Sequence, residues 1–324
     1  MVVLVTGALG LLGREVVREL LERNYEVRAL VHTPGRERVF QHGTVDVYYG
    51  GVNDPDALAS ACRGVEAVIH LVAVIRQGRG VTYERVNRQG VANVAAAAKA
   101  SGSVKYFVHL SAIGAVDNPR FPYLRSKWQG EQEVVNSGLP YTILRPSVLF
   151  GPGDEFINAL AALVRAFPVV PVIGSGNNRL QPIAVQDVAR CVVLSLDRGD
   201  LKGRVVEIGG PRQLSYNEIV RIVGRTLARR RLRLHIPVWF MWLNVALMQL
   251  LVSRPPLTRE MLRMLPLRNV AELGVVEDTF GFAPRPLEGN IDFIRSLSFA
   301  DALRISLGLE PAAASGSGTG SGTS

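Results

Sequence analysis

The sequence predicts an α/β fold with a doubly wound parallel sheet. Two observations carry the prediction. Short β-rich apolar runs alternate with helix-period segments through the first 150 residues, the rhythm that right-handed strand–helix–strand crossovers produce. The first run is followed by three glycines spaced three positions apart, Gly7, Gly10 and Gly13, and then by a helical segment. Beyond Gly151 the rhythm loosens, which predicts a smaller C-terminal mixed or helical domain. The expected boundaries are 1–150 for the first domain and 151–311 for a second, interleaved with it and closing over it. Residues 312–324 contain only alanine, serine, glycine and threonine and read as a disordered tail or linker.

The elements follow in order. Val2–Val5 is an apolar run that suits a buried strand, and Val16, Val17, Leu20 and Leu21 mark the first helix. Glu26–Val31 and Val45–Tyr49 read as the second and third strands. A helix from Asp54 to Cys62 has Asp54 as its cap and Pro55 at its first position. Val65–Val72 gives a fourth strand, and Val81–Ala100 a long alanine-rich helix ended by Ser101-Gly102. Val104–Leu110, a helix over Tyr123–Asn136, and Tyr141–Leu144 complete the first domain. In the second half, helices are expected near Glu155–Ala166, Gln186–Leu196 and Ser215–Ala228, with a strand at Arg204–Ile208.

Composition narrows the class. Of 324 residues 48% are apolar and 20% charged, the balance of a globular chain with a sizeable core. Two cysteines, Cys62 and Cys191, lie too far apart in patterned segments to suggest a disulfide framework, so an intracellular, cytoplasmic setting is expected. The five histidines lack ligand spacing, and no metal site is expected. The first residues already read as strand and glycine turn, which leaves no room for a signal peptide. A net charge of +9 points to anionic partners. No nucleic-acid-binding motif accompanies it, so a phosphorylated cofactor and an anionic membrane surface are the expected sources, not nucleic acid.

The glycine triplet carries chemistry because of where it stands. Gly7 lets the turn tighten, Gly10 lets backbone approach a pyrophosphate, and Gly13 lets the helix sit close to its strand. The free N–H groups and positive dipole end of the first helix then meet the phosphates. Ser111 follows the fifth strand, at the strand ends where open α/β sheets place ligands. Tyr123 and Lys127 are four residues apart on one helix face. A tyrosine titrates near 10, and a neighbouring ammonium would bring it toward the working range.

Thr6-Gly7-Ala8-Leu9-Gly10-Leu11-Leu12-Gly13, Ser111 and Tyr123-x-x-x-Lys127 together resemble the extended and atypical short-chain dehydrogenase/reductase superfamily, the NAD-dependent epimerase/dehydratase type. Arg145-Pro146-Ser147, Phe150-Gly151-Pro152-Gly153, Gln181-Pro182-Ile183 and Asp187-Val188-Ala189 match later motifs, so the likeness runs to about residue 220. His109-Leu110-Ser111-Ala112 and the Pro- and Arg-rich C-terminal region are most similar to the nucleotide-binding accessory subunit of respiratory complex I and its bacterial relatives. The resemblance implies a Rossmann-type NAD(P)(H) site with Tyr123 as general acid/base, Lys127 as its helper and a ribose ligand, and Ser111 on a substrate oxygen. Asn87 matches the family's asparagine beside the site. Gly7, Gly10, Leu11, Leu12, Gly13, His32, Arg36, Val52, Ala73 and Lys127 form the expected cofactor set.

The second strand ends in Val31-His32-Thr33-Pro34-Gly35-Arg36, with no acid before Glu37 to hold a ribose diol. Arg14, Arg36 and Arg38 are nearby, so NADP(H) is favoured over NAD(H). Two departures from the family stand out: His32 replaces an expected arginine, and Gly50-Gly51 replaces the Gly-Asp that contacts the adenine. Backbone atoms of Val52 are left to meet the adenine edge.

The run Ile236–Val252 is apolar, flanked by arginines, and carries Trp239 and Trp242. It is short for a bilayer span. A helix buried in the small domain, a helix facing a membrane or a membrane-complex partner, and a true span all remain open, and peripheral attachment at the inner membrane face is one expectation. Two functions also stay open. One is hydride transfer between nicotinamide and a carbonyl or alcohol of a small, apolar or lipid-like substrate. The other is a non-catalytic nucleotide-binding subunit or assembly factor of a complex I-type membrane complex.

Overall fold

A computed structural model describes residues 1–40, 43–78, 80–242, 259–306 and 308–309. The expected tail, 312–324, and positions 243–252 of the apolar run lie outside the described residues. The chain forms two compact units. The first comprises Met1–Ser147, Ile183–Pro211 and Asn269–Arg285; the second comprises Val148–Pro182, Arg212–Arg268 and Pro286–Ser324.

The first unit is built on β1 (Val2–Thr6), α1 (Leu11–Glu22), β2 (Glu26–Val31), β3 (Val45–Tyr49), α2 (Pro55–Cys62), β4 (Ala67–His70), α3 (Gly90–Ala100), β5 (Tyr106–Leu110), α4 (Pro122–Asn136) and β6 (Tyr141–Pro146). With strand Arg204–Ile208 they make a seven-stranded sheet in the order Arg204–Ile208, β6, β5, β4, β1, β2, β3. Every recorded pairing within it is parallel. The order reverses between β1 and β4, and that switch point is where open α/β sheets bind ligands.

The strands are continuous apolar runs because helices cover both faces. Val3, Leu4, Val5, Val68, Ile69, Phe107 and Val108 are fully buried. On one side α2 and α3 bring Leu58, Val91 and Val94 against Leu4, Val68 and Phe107; α1 packs against helix Val185–Leu194. Asp54 caps α2, its carboxylate accepting from the Ala57 amide at 3.1 Å, as its place before Pro55 predicts. The long helix expected over Val81–Ala100 begins instead as a π-helical turn, Glu84–Gln89, before continuing as α3. A π turn inserts a residue, frequently at a functional site; here it carries Asn87.

The second unit holds helices Phe156–Ala166 and Tyr216–Thr226, the latter closed by a capping box between Ser215 and Glu218. It also holds a strand at Leu232–Ile236, paired in parallel with Val169–Ile173. From sequence, only flanking arginines are expected here, before the apolar run. Leu-Arg-Leu-His-Ile alternates with period two, the signature of a strand. Ile236 therefore ends a strand, Pro237 breaks the chain, and helix begins at Val238. Among the described residues no helix is long and apolar enough to cross a membrane.

Candidate functional site

Every expected site residue belongs to the first unit. Gly7 follows β1 at φ +82°, a left-handed conformation that disfavours any Cβ. A Cβ there would also stand 3.1 Å from the Val72 amide nitrogen, so the turn lies against the chain leaving β4. The Gly10 amide donates to the Gly7 carbonyl at 3.0 Å. A Cβ on Gly13 would overlap that same carbonyl oxygen and approach the Ala8 carbonyl carbon to 2.7 Å. Leu11 opens α1, and Leu12 and Gly13 are buried in its first turn. No side chain caps α1 at Gly10, which leaves its amide groups available. The chain thus forms a cradle with bare backbone at the positive end of a helix, and this fits a dinucleotide pyrophosphate.

At the end of β2, His32 is exposed and lies over Gly51. Arg36 and Arg38 sit exposed on the short turn Arg36–Val39. The nearest acid, Glu37, is held below the usual carboxylate range by amide groups of its own turn and by the Tyr49 hydroxyl. Arg14 donates through Nε to the Leu9 carbonyl at 3.0 Å. Val52 is buried, packed on Gly90, and its carbonyl accepts from the Asn93 side-chain Nδ2 at 3.0 Å. That carbonyl is already engaged, so Val52 has less backbone to offer an adenine than expected. Ala73 is exposed in the segment after β4.

On the other side of the switch point, Ser111 follows β5, its amide donating to the Leu144 carbonyl at 2.7 Å. Its side chain is buried, and Oγ has no hydrogen-bond partner among the described residues. A buried hydroxyl left unpaired is costly, and one that waits for a ligand oxygen is a known exception. Tyr123 and Lys127 lie on α4 as the spacing predicts. Tyr83 packs its ring against Tyr123 at 5.8 Å between centroids.

The electrostatics differ from the expectation. Burial pushes the Tyr123 hydroxyl up to about 12. The Lys127 ammonium donates instead to the Leu110 carbonyl at 2.6 Å, and burial brings it down to about 8 against an opposing pull from Glu131. Spacing places two residues on a helix face but does not decide which acceptor a flexible ammonium chooses.

Asn87 is fully committed. Its Oδ1 accepts from the Val74 amide at 2.8 Å, and Nδ2 donates to the Val74 carbonyl and to Ser126 Oγ, both at 3.0 Å. Ser126 in turn donates to the Tyr123 carbonyl at 2.7 Å. Asn87 therefore ties the segment after β4 to the first turn of α4, and is a positioning residue here. Sequence reading gave no role to two neighbours, His70 and the His109 of the His-Leu-Ser-Ala motif. His70 and His109 are register partners on β4 and β5, fully buried, with stacked rings 5.5 Å apart. His70 Nδ1 shares a 2.6 Å hydrogen bond with Thr6 Oγ1, linking the pair to the start of the glycine turn. Helices on both faces of the sheet place them inside; that they stack depends on register.

The glycine cradle, the switch point and the serine, tyrosine and lysine beside it define a dinucleotide-binding α/β protein. The sequence profile of the NAD dependent epimerase/dehydratase family matches residues 3–209, and the chain belongs to that family. It is 31% identical over 238 residues to a ceramide reductase of Caulobacter vibrioides, covering 73% of this chain and 74% of that one. It is 30% identical over 227 residues to the mitochondrial NADH dehydrogenase [ubiquinone] 1 alpha subcomplex subunit 9 of Arabidopsis thaliana. That alignment takes in 68% of this chain but only 56% of the plant protein. Among solved structures, gox2253 superposes with a TM-score of 0.73 at 25% identity, over 90% of this chain and 96% of that one.

Proposed function

We propose that this protein is a reductase or dehydrogenase that uses NADP(H) in preference to NAD(H), acting on the carbonyl or alcohol of an apolar, lipid-like substrate at the cytoplasmic face of a membrane. The observation that carries the reading is the buried, unpartnered Ser111 Oγ beside α4, which bears Tyr123 and Lys127. A site kept only to hold a nucleotide has no use for an orphaned hydroxyl at that place.

The bound nicotinamide supplies or takes the hydride. The protein's own residues do the rest. The glycine turn and the N-terminus of α1 hold the pyrophosphate; Ser111 Oγ donates to the substrate oxygen; Tyr123 exchanges a proton with it. Tyr123 works near neutral pH only when its hydroxyl falls well below about 12, and the Lys127 ammonium, turned from the Leu110 carbonyl toward it, supplies that pull. Asn87 keeps the first turn of α4 in place throughout. Arg14, Arg36 and Arg38 are cations available to a 2′-phosphate, and the His32 imidazole stands at the end of β2 as a further polar group. Similarity to the Caulobacter ceramide reductase supports the lipid-like substrate.

A second reading rests on the resting state of the same site. With Lys127 bound to Leu110 and Tyr123 held up, the dinucleotide can serve as a structural ligand of a respiratory-complex subunit, as similarity to the plant complex I protein suggests. The two separate in one experiment. Purified protein is titrated with NADPH and NADH by fluorescence transfer, and NADPH oxidation is followed with long-chain keto-lipids, for wild type and Tyr123→Phe. Turnover lost in the variant with binding kept supports the reductase. Tight binding with no turnover on any keto-lipid supports the subunit.

A further inference from the structure

The strand pair Val169–Ile173 and Leu232–Ile236 in the second unit has one face with no polar side chain. Register sets Arg233 beside Val170 and His235 beside Val172, and both valines are fully buried. Side chains alternate along a strand, so the opposite face carries Leu232, Leu234 and Ile236 with Val169, Pro171 and Ile173. Leu232 is 75% exposed and Leu234 58%. Past Pro237 the chain presents Val238, Phe240 and Trp239, the last 71% exposed. A contiguous apolar surface of this kind marks an interaction site, whereas scattered exposed residues do not.

Its charge selects the partner. Arg229 and Arg230 are exposed just before the strand, Arg231 donates to the Val164 carbonyl at 2.8 Å, and Arg233 lies on the opposite face with Val170. From Ile219 to Arg259 the sequence has eight arginines and no aspartate or glutamate. A second copy docked two-fold on this face would set arginine against arginine. An anionic bilayer satisfies both features. Its headgroups take the guanidinium groups, its acyl boundary takes the leucines, and tryptophan favours the level between them.

We infer that the outer face of the strand pair, with Trp239, Arg229 and Arg230, docks the protein on an anionic lipid surface. This deepens the peripheral location proposed above by naming the surface that makes it, and it is independent of the chemistry at Tyr123.

The full chain is mixed with phosphatidylcholine vesicles, with and without phosphatidylglycerol, and bound protein is measured by sedimentation and by the shift of tryptophan emission. Two variants accompany wild type, Leu232→Ser/Leu234→Ser and Arg229→Gln/Arg230→Gln, with NADPH titration as the check that each is folded. Wild type binds the anionic vesicles, more weakly as salt rises. The arginine variant loses about fivefold for each guanidinium removed, and the leucine variant loses binding at every salt concentration. Wild type that binds anionic vesicles while both folded variants bind equally well overturns this surface and leaves the peripheral location standing. Wild type that ignores anionic vesicles overturns both, as does a dimer in solution that only the leucine variant breaks.

Discussion

His32 covers Gly51: a Cβ on Gly51 would stand 3.0 Å from Cδ2 of the imidazole, inside ordinary van der Waals separation. Two departures from the family pattern, a histidine where an arginine is expected and a glycine where an aspartate is expected, are therefore one packing arrangement. Gly51→Asp alone must displace His32, while His32→Ala/Gly51→Asp has room for the acid. In a double-mutant cycle on NADPH affinity the two changes couple by about 1 kcal/mol or more, the double variant binding better than the sum of the singles. Additive losses would remove the link. His32→Ala alone should weaken NADPH more than NADH; equal losses would exclude His32 from recognition of a 2′-phosphate.

Gly10 and Gly13 separate folding from binding. Gly10 has φ −69° and ψ 171°, which alanine adopts freely, and its Cβ would meet only the Gly7 carbonyl oxygen at 3.3 Å. Gly10→Ala should change stability by less than about 1 kcal/mol while weakening dinucleotide binding at least tenfold, because the methyl stands where backbone meets pyrophosphate. Gly13→Ala has nowhere to put its methyl and should destabilise the protein by about 1–3 kcal/mol or more. Denaturant unfolding alongside NADPH titration reads both.

Lys127 opposes folding while it is charged. Its folded value, about 8, lies below the ordinary lysine value of 10.5, so the unfolded chain binds more protons between those limits. Stability then rises with pH from about 8 to about 10.5. In Lys127→Met this contribution is gone. The stability of wild type relative to the variant should climb by about 3 kcal/mol across that window, measured by urea midpoints at both ends. A flat difference would place Lys127 in water. Turnover, if the reductase reading holds, disappears in the variant at every pH.

The histidine pair predicts acid sensitivity. Burial holds His70 neutral and lowers it to about 3, with the Lys127 charge a smaller contribution; His109 moves the same way through burial, Lys127 and the neighbouring His70. Below the ordinary value of 6.5 the unfolded chain takes up protons that the folded one refuses, so stability falls as pH drops from about 6.5 to about 3. His70 alone accounts for about 4–5 kcal/mol of that loss. His70→Asn keeps a hydrogen-bonding group near Thr6. It should be less stable than wild type at pH 7 and overtake it near pH 4. Parallel acid transitions for the two proteins would count against this origin.

Much of the protein was legible in its sequence, because local rules govern it. The alternation of apolar strands with helical segments, the glycine spacing, the Asp54 cap, and the 123/127 spacing each depend on a few neighbouring residues. Together they give the parallel sheet, the phosphate cradle and the helix that bears tyrosine and lysine. The strand Leu232–Ile236 was also legible in its period-two pattern but was obscured by its arginines. Tertiary structure alone decided the rest. It aligned His70 with His109 through strand register and laid His32 over Gly51 from separate loops. It turned the Lys127 ammonium to the Leu110 carbonyl and left the Ser111 hydroxyl buried without a partner among the described residues. Each of these depends on which group happens to be within reach across the fold, and sequence spacing does not encode that distance.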